Sequence, residues 1–131
     1  MGGGTNHRVG LYDGILIKEN HIAAAGGVEP ALKAAAALAP PGVWTQIEIE
    51  NFDQLHTALA AGAKMILLDN MTTEKMAEAV RIAAGRAELE ASGGITLANV
   101  RAIAETGVDR ISIGGLTKDV QAVDLSMRFE N

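Results

Sequence analysis

The chain has 131 residues, 48% of them apolar, with a net charge of −5 and no cysteine. That length allows one domain with a core. The acidic balance argues against nucleic-acid or anionic-membrane partners, although a local basic pocket can sit inside an acidic shell, and the missing cysteine excludes disulfides, thiolate catalysis and cysteine-held zinc. No cationic segment with a long apolar run opens the sequence, and no apolar stretch reaches membrane-spanning length, so a cytoplasmic protein is expected.

A glycine-rich opening delivers His7 and Arg8, and the apolar run Gly14 to Ile17 then ends abruptly in Lys18-Glu19-Asn20-His21. A short apolar run bounded by turn residues predicts a buried parallel strand. The C-terminal ends of such strands are where α/β sheets place their chemistry. His7, Arg8 and Lys18 lie close in sequence and are read as an anion-binding group.

Gly26-Gly27-Val28-Glu29-Pro30 punctuates, with Pro30 suited to an early helical position, and an alanine-rich helix over Ala31 to Ala39 stops at Pro40-Pro41-Gly42. A second strand covers Trp44 to Glu50, and Asn51 or Asp53 caps a helix ending at Gly62. A third strand, Lys64 to Leu68, terminates in Asp69-Asn70. Thr72 or Thr73 caps a helix in which Met76, Val80 and Ala83 recur at helical spacing, with Gly85 as its end. A fourth strand, Arg86 to Ala91, leads into Ser92-Gly93-Gly94, and Thr96 caps a helix stopped by Gly107. A fifth strand, Arg110 to Ile113, runs into Gly114-Gly115, followed by a last amphipathic segment, Asp119 to Met127.

Five alternations of strand and helix imply a parallel sheet. A closed eight-stranded barrel needs roughly 250 residues, so the expectation is a partial βα barrel with about five strands. Its raw edge is a liability unless covered, by the rest of a larger polypeptide or by another copy of the chain. A homodimer or higher homo-oligomer is therefore expected.

Alternation within strands separates two faces. Thr45, Ile47 and Ile49 oppose Gln46, Glu48 and Glu50; Ala87, Leu89 and Ala91 oppose Glu88, Glu90 and Ser92. Helices after every strand claim the apolar faces, leaving the polar faces to line a curved interior. Carboxyl groups there need cationic partners, for which Lys18, Arg8 and Arg110 are candidates. Glu48, Glu88 and Glu90 are read as structural ion pairs or solvated groups. Glu50 and Asp69 are read as functional, because each closes its strand. His21 is read as a cap or brace of the Lys18 turn, His56 as surface decoration, and Lys75, Arg81 and Arg101 as solvated helix faces. Ser92-Gly93-Gly94 and Gly114-Gly115 each follow a strand and open a helix, a pattern that admits phosphate.

Taken together, six stretches resemble quinolinate phosphoribosyltransferase, also called nicotinate-nucleotide pyrophosphorylase (carboxylating). They are G-G-G-T-N-H-R-V-G-L-Y-D at Gly2 to Asp13, I-L-I-K-E-N-H at Ile15 to His21, E-I-E-N at Glu48 to Asn51, L-L-D-N at Leu67 to Asn70, A-S-G-G-I-T at Ala91 to Thr96 and I-S-I-G-G-L-T at Ile111 to Thr117. The resemblance implies the C-terminal barrel portion of a type II phosphoribosyltransferase, a single incomplete domain over residues 1–131, with the family's N-terminal sandwich domain and first barrel strands absent. It implies transfer of phosphoribose from phosphoribosyl pyrophosphate to quinolinate, giving nicotinate mononucleotide, pyrophosphate and carbon dioxide in NAD biosynthesis. It places His7, Arg8 and Lys18 on the quinolinate carboxylates, and Glu50 and Asp69 on phosphoribosyl pyrophosphate and its magnesium (Mg2+). The catalytic group it implies is Lys18, Glu50 and Asp69. Ser92, Gly93, Gly94, Gly114 and Gly115 fall at the ribose-phosphate end. Competing readings are a molybdenum-transport-type pyrophosphorylase-like protein and a non-catalytic fragment that at most binds phosphate.

Overall fold

The computed structural model describes residues 3–10 and 12–129. Leu11 and the residues at either extreme, Gly2 of the glycine run among them, lie outside the described residues. In chain order the elements are β1 Gly14–Ile17, α1 Glu19–Ala25, α2 Val28–Leu38, β2 Trp44–Ile49, α3 Phe52–Ala60, β3 Met65–Asp69, α4 Thr73–Ala83, β4 Glu88–Ser92, α5 Val100–Ala104, β5 Arg110–Ile111 and α6 Gly115–Lys118. The five strands form one parallel sheet in the order β1-β2-β3-β4-β5, so β1 and β5 are its edges and the barrel is not closed. This is the expected partial βα barrel.

The sheet's outer face is the core. Ile47, Ile49, Ile66 and Leu68 are fully buried, together with Leu55 and Ala58 of α3 and Ala79 of α4. Small residues such as Ala31, Ala35 and Ala83 let the helices lie close to the branched strand side chains. Asn51 caps α3 through its side chain, which accepts from the Gln54 N–H at 2.9 Å, and Thr72 caps α4 by accepting from Lys75 N–H.

Three expectations are corrected. A helix, α1, begins directly after β1, where only a turn at Lys18 had been expected. Seven residues suffice because the His21 ring accepts from the Lys18 N–H at 3.0 Å, Ile22 is buried, and Gly26 ends the helix with φ +82°. The Thr96-capped helix starts late. Thr96 N–H donates to the Asn99 side chain at 2.8 Å, and that turn delays α5 to Val100. The amphipathic segment after residue 118 forms neither helix nor strand; Val120, Val123, Leu125 and Met127 all lie exposed.

Gly14 opens β1 opposite Trp44, and a Cβ built on it would stand 2.7 Å from the Trp44 Cη2. The indole therefore occupies the space a side chain would need. Gly14→Ala is expected to destabilise by about 1–3 kcal/mol through overpacking, read as a lowered melting temperature. An unchanged melting temperature would show that the ring moves aside freely.

Candidate active site

Register places Leu16 beside Gln46, Gln46 beside Met65, Leu67 beside Glu90 and Asp69 beside Ser92, so these side chains share the concave face. Two groups of polar residues stand on it, one at the strand ends and one nearer the strand starts.

At the strand ends, Lys18 Nζ lies 3.8 Å from Glu48 Oε2, with the lysine half exposed and the Glu48 side chain 13% exposed. Burial pushes the Glu48 carboxyl above its ordinary value; Lys18 opposes this, and the neighbouring charges of Asp69, Glu19 and Glu50 reinforce it. One ammonium thus meets the Glu48 carboxyl, while the charges of Asp69, Glu19 and Glu50 bear on that same carboxyl. Glu50 itself is exposed, one residue past the end of β2, and its backbone N–H donates to Gln54 Oε1 at 2.8 Å. Glu48, read from the sequence as structural, is the carboxylate that meets Lys18. That pairing, with Lys18 among the expected partners, follows from register: Ile17 pairs with Ile47, so the next residues, Lys18 and Glu48, come side by side.

Because the folded protein holds Glu48 protonated more readily than the unfolded chain does, its contribution to stability declines as pH rises from its ordinary value of 4.5 through the higher folded value. Glu48→Gln removes that decline. The variant's melting temperature is expected to fall less than the wild type's across this window, and parallel profiles would contradict the assignment.

His7 and Arg8 sit elsewhere. The His7 ring meets the Trp44 ring edge-on at 5.4 Å, and its Nε2 lies 3.4 Å from Gln46 Oε1. Arg8 Nη1 donates to the Gly14 carbonyl at 3.3 Å. Gly14 and Trp44 open their strands whereas Lys18 follows the end of β1, a separation of about 13 Å along an extended strand. The structure therefore does not gather His7, Arg8 and Lys18 into one cluster. Asp13 folds the intervening loop by accepting from the Val9 and Gly10 N–H groups at 2.8 and 3.0 Å, and these bonds hold its carboxyl below the ordinary range.

Between the two groups, Gln46 and Glu90 are buried. Gln46 Nε2 donates to Glu90 Oε2 at 2.8 Å, and the Ser112 hydroxyl donates to Glu90 Oε1. Glu90 is thus neither solvated nor ion-paired, as had been expected, but hydrogen-bonded inside the concave face. Glu88 does pair, with Arg110 at 2.7 Å. A hollow of 570 Å³ over this face is lined by residues including His7, Trp44, Glu90, Arg110 and Ser112.

The glycine loops follow β4 and β5 as expected. Ser92 closes β4, half-buried, and its carbonyl accepts from the Asn70 N–H at 3.0 Å. A Cβ on Gly94 or Gly114 would meet nothing within 4 Å, so both loops border open space. Only Gly114-Gly115 leads straight into a helix, the short α6; Gly93-Gly94 leads into the Thr96 turn. Among the described residues no three His, Asp or Glu side chains converge as a metal site. Two strand-end carboxylates do suit magnesium carried on substrate phosphates, since that ion is commonly held by one or two carboxylates plus phosphate oxygens.

The family model for the quinolinate phosphoribosyl transferase C-terminal domain matches residues 1–128. The probable nicotinate-nucleotide pyrophosphorylase (carboxylating) of Bacillus subtilis is 47% identical over 126 residues, covering 96% of this chain and 44% of the relative. The structure of the nicotinate-nucleotide pyrophosphorylase from Francisella tularensis superimposes with a TM-score of 0.89 at 48% identity, covering 95% of this chain and 44% of that one. NadC from Streptococcus pyogenes gives 0.91 at 39% identity, covering 98% and 45%. The chain spans less than half the length of these relatives.

Proposed function

The chain belongs to the quinolinate phosphoribosyl transferase C-terminal domain family, and we propose that it carries the acid-binding and phosphoribose-handling part of an enzyme making nicotinate mononucleotide, pyrophosphate and carbon dioxide from quinolinate and phosphoribosyl pyrophosphate. The observation that carries this reading is the strand-end group, the Lys18–Glu48 pair with the charges of Asp69, Glu50 and Glu19 acting on Glu48. Lys18 binds a quinolinate carboxylate through a charge-assisted hydrogen bond and turns the pyridine nitrogen toward the ribose. As pyrophosphate leaves, the anomeric carbon becomes oxocarbenium-like, and the carboxylates stabilise its positive charge. The ring nitrogen then attacks, the quaternised ring stabilises the electron pair left on the adjacent ring carbon when its carboxylate departs as carbon dioxide, and a proton from solvent completes that carbon as C–H.

Glu50 and Asp69 are the residues that would hold magnesium, which would offset negative charge on the leaving pyrophosphate. Ser92, Gly93, Gly94, Gly114 and Gly115 are proposed to border the ribose phosphate, with Gly94 and Gly114 facing open space. His7 and Arg8 are proposed to bind the other carboxylate of the acid. Because they lie near the strand starts, this assignment requires the segment before β1 to move along the concave face toward Lys18 when the acid binds.

The uncovered sides of β1 and β5 support a reading in which the chain works together with further polypeptide, in a homodimer or higher homo-oligomer. A cytoplasmic location is proposed for it; no helix among the described residues is long and apolar enough to cross a membrane. Calorimetry with quinolinate and with phosphoribosyl pyrophosphate plus magnesium tests the reading directly. Binding of both, with quinolinate consumption once the rest of the relatives' length is supplied, supports it. Binding of neither leaves the non-catalytic reading.

A further inference from the structure

We propose that Asn70 is a positioning residue for Asp69, and that position 93 is glycine in order to seat it. Asn70 follows β3 directly with φ +49°, and among the described residues it shares the left-handed region with Ala84 alone of the non-glycine residues. Asparagine tolerates that conformation better than most residues, at a cost that packing must repay. Here the turn sends the side chain back along the strand end. Its Nδ2 donates to Asp69 Oδ2 at 3.0 Å, and its backbone N–H extends the β3–β4 ladder to the Ser92 carbonyl.

Gly93 lies on the other side of the amide. A Cβ built there would overlap Asn70 Oδ1 and stand 2.7 Å from its Cγ, whereas a Cβ on Gly94 would stand free. Any side chain at 93 would evict the amide, and φ +95° adds a second penalty. The two neighbouring glycines therefore differ in purpose: Gly93 makes room for protein, while Gly94 faces open space. With Oδ2 held by an amide donor, the Asp69 carboxylate keeps one orientation and leaves Oδ1 for a ligand. Holding a reacting group in a fixed geometry is the kind of support that rate and affinity depend on.

This inference rests on the reading that Asp69 serves phosphoribosyl pyrophosphate, and its test separates the two. Asn70→Gly keeps the left-handed backbone and removes only the amide. In thermal unfolding of the chain, Gly93→Ala is expected to lower the melting temperature markedly, and by less in the Asn70→Gly background, where the penalty of φ +95° remains. Equal losses in both backgrounds overturn the seating. In calorimetry with magnesium and phosphoribosyl pyrophosphate, Asn70→Gly is expected to weaken binding about tenfold while the melting temperature stays near wild type. Unchanged affinity overturns the positioning role. If the wild-type chain binds no phosphoribosyl pyrophosphate, the functional reading and the positioning role fall together, and the unfolding cycle still decides the seating.

Discussion

Lys18→Ala, in a protein that supplies the rest of the relatives' length, is expected to lower kcat/KM for quinolinate about 100-fold or more. The argument is electrostatic. Lys18 is the cation that closes on the carboxyl-rich strand end, at 3.8 Å from Glu48, and without it the carboxylate entering there meets the like charge of Glu48. Losing a charge-assisted hydrogen bond to the substrate, and leaving its carboxylate facing Glu48 and Asp69, costs on the order of 3 kcal/mol, which corresponds to that factor. Lys18→Arg keeps the charge but changes its shape and reach, so partial activity is expected from it. Steady-state kinetics at varied quinolinate checks this, and alanine kinetics matching wild type would remove Lys18 from the acid site. Glu48→Ala and Glu50→Ala in the same assay rank the two glutamates. The half-buried Glu48 is expected to matter more than the exposed Glu50.

The second large effect concerns stability. Gln46→Leu is expected to destabilise the chain by about 2–3 kcal/mol, because it strips Glu90 of a donor inside the sheet's concave face and leaves a buried carboxyl group partly unsatisfied. For a chain of this size that corresponds to a fall in melting temperature of roughly 10 °C. Adding Glu90→Leu to it is expected to recover part of the loss, since replacing both partners by apolar groups removes the unsatisfied atom along with its penalty. A Gln46→Leu melting temperature equal to wild type would show that water enters and satisfies Glu90.

The strand and helix alternation was legible because strands read as short apolar runs or alternating stretches with turn residues at both ends, as at Gly14–Ile17 and Trp44–Ile49. The caps of α3 and α4 were legible too, reduced to two candidates each, since short polar side chains before an amphipathic stretch compete well for free N–H groups. The helix α1 was not, although the His21 ring does brace the Lys18 N–H as the sequence suggested; seven residues with Ile22 alone buried carry no apolar periodicity to read. The late start of α5 escaped because Asn99 captures the Thr96 N–H in place of a helical turn.

The local pattern of residues thus determined the fold class, the polar and apolar faces of each strand, and which residues stand at strand ends. Tertiary structure alone decided how those residues group. Strand register sets Glu48, and not Glu50, beside Lys18; Gln46 of β2 and Glu90 of β4 meet across β3; the path of the chain before β1 leaves His7 and Arg8 near Trp44 and Gly14. Sequence spacing reports distance along a strand, which is short-range and periodic. Which side chains meet across strands depends on register and twist, and those are set by how the whole sheet packs against its helices.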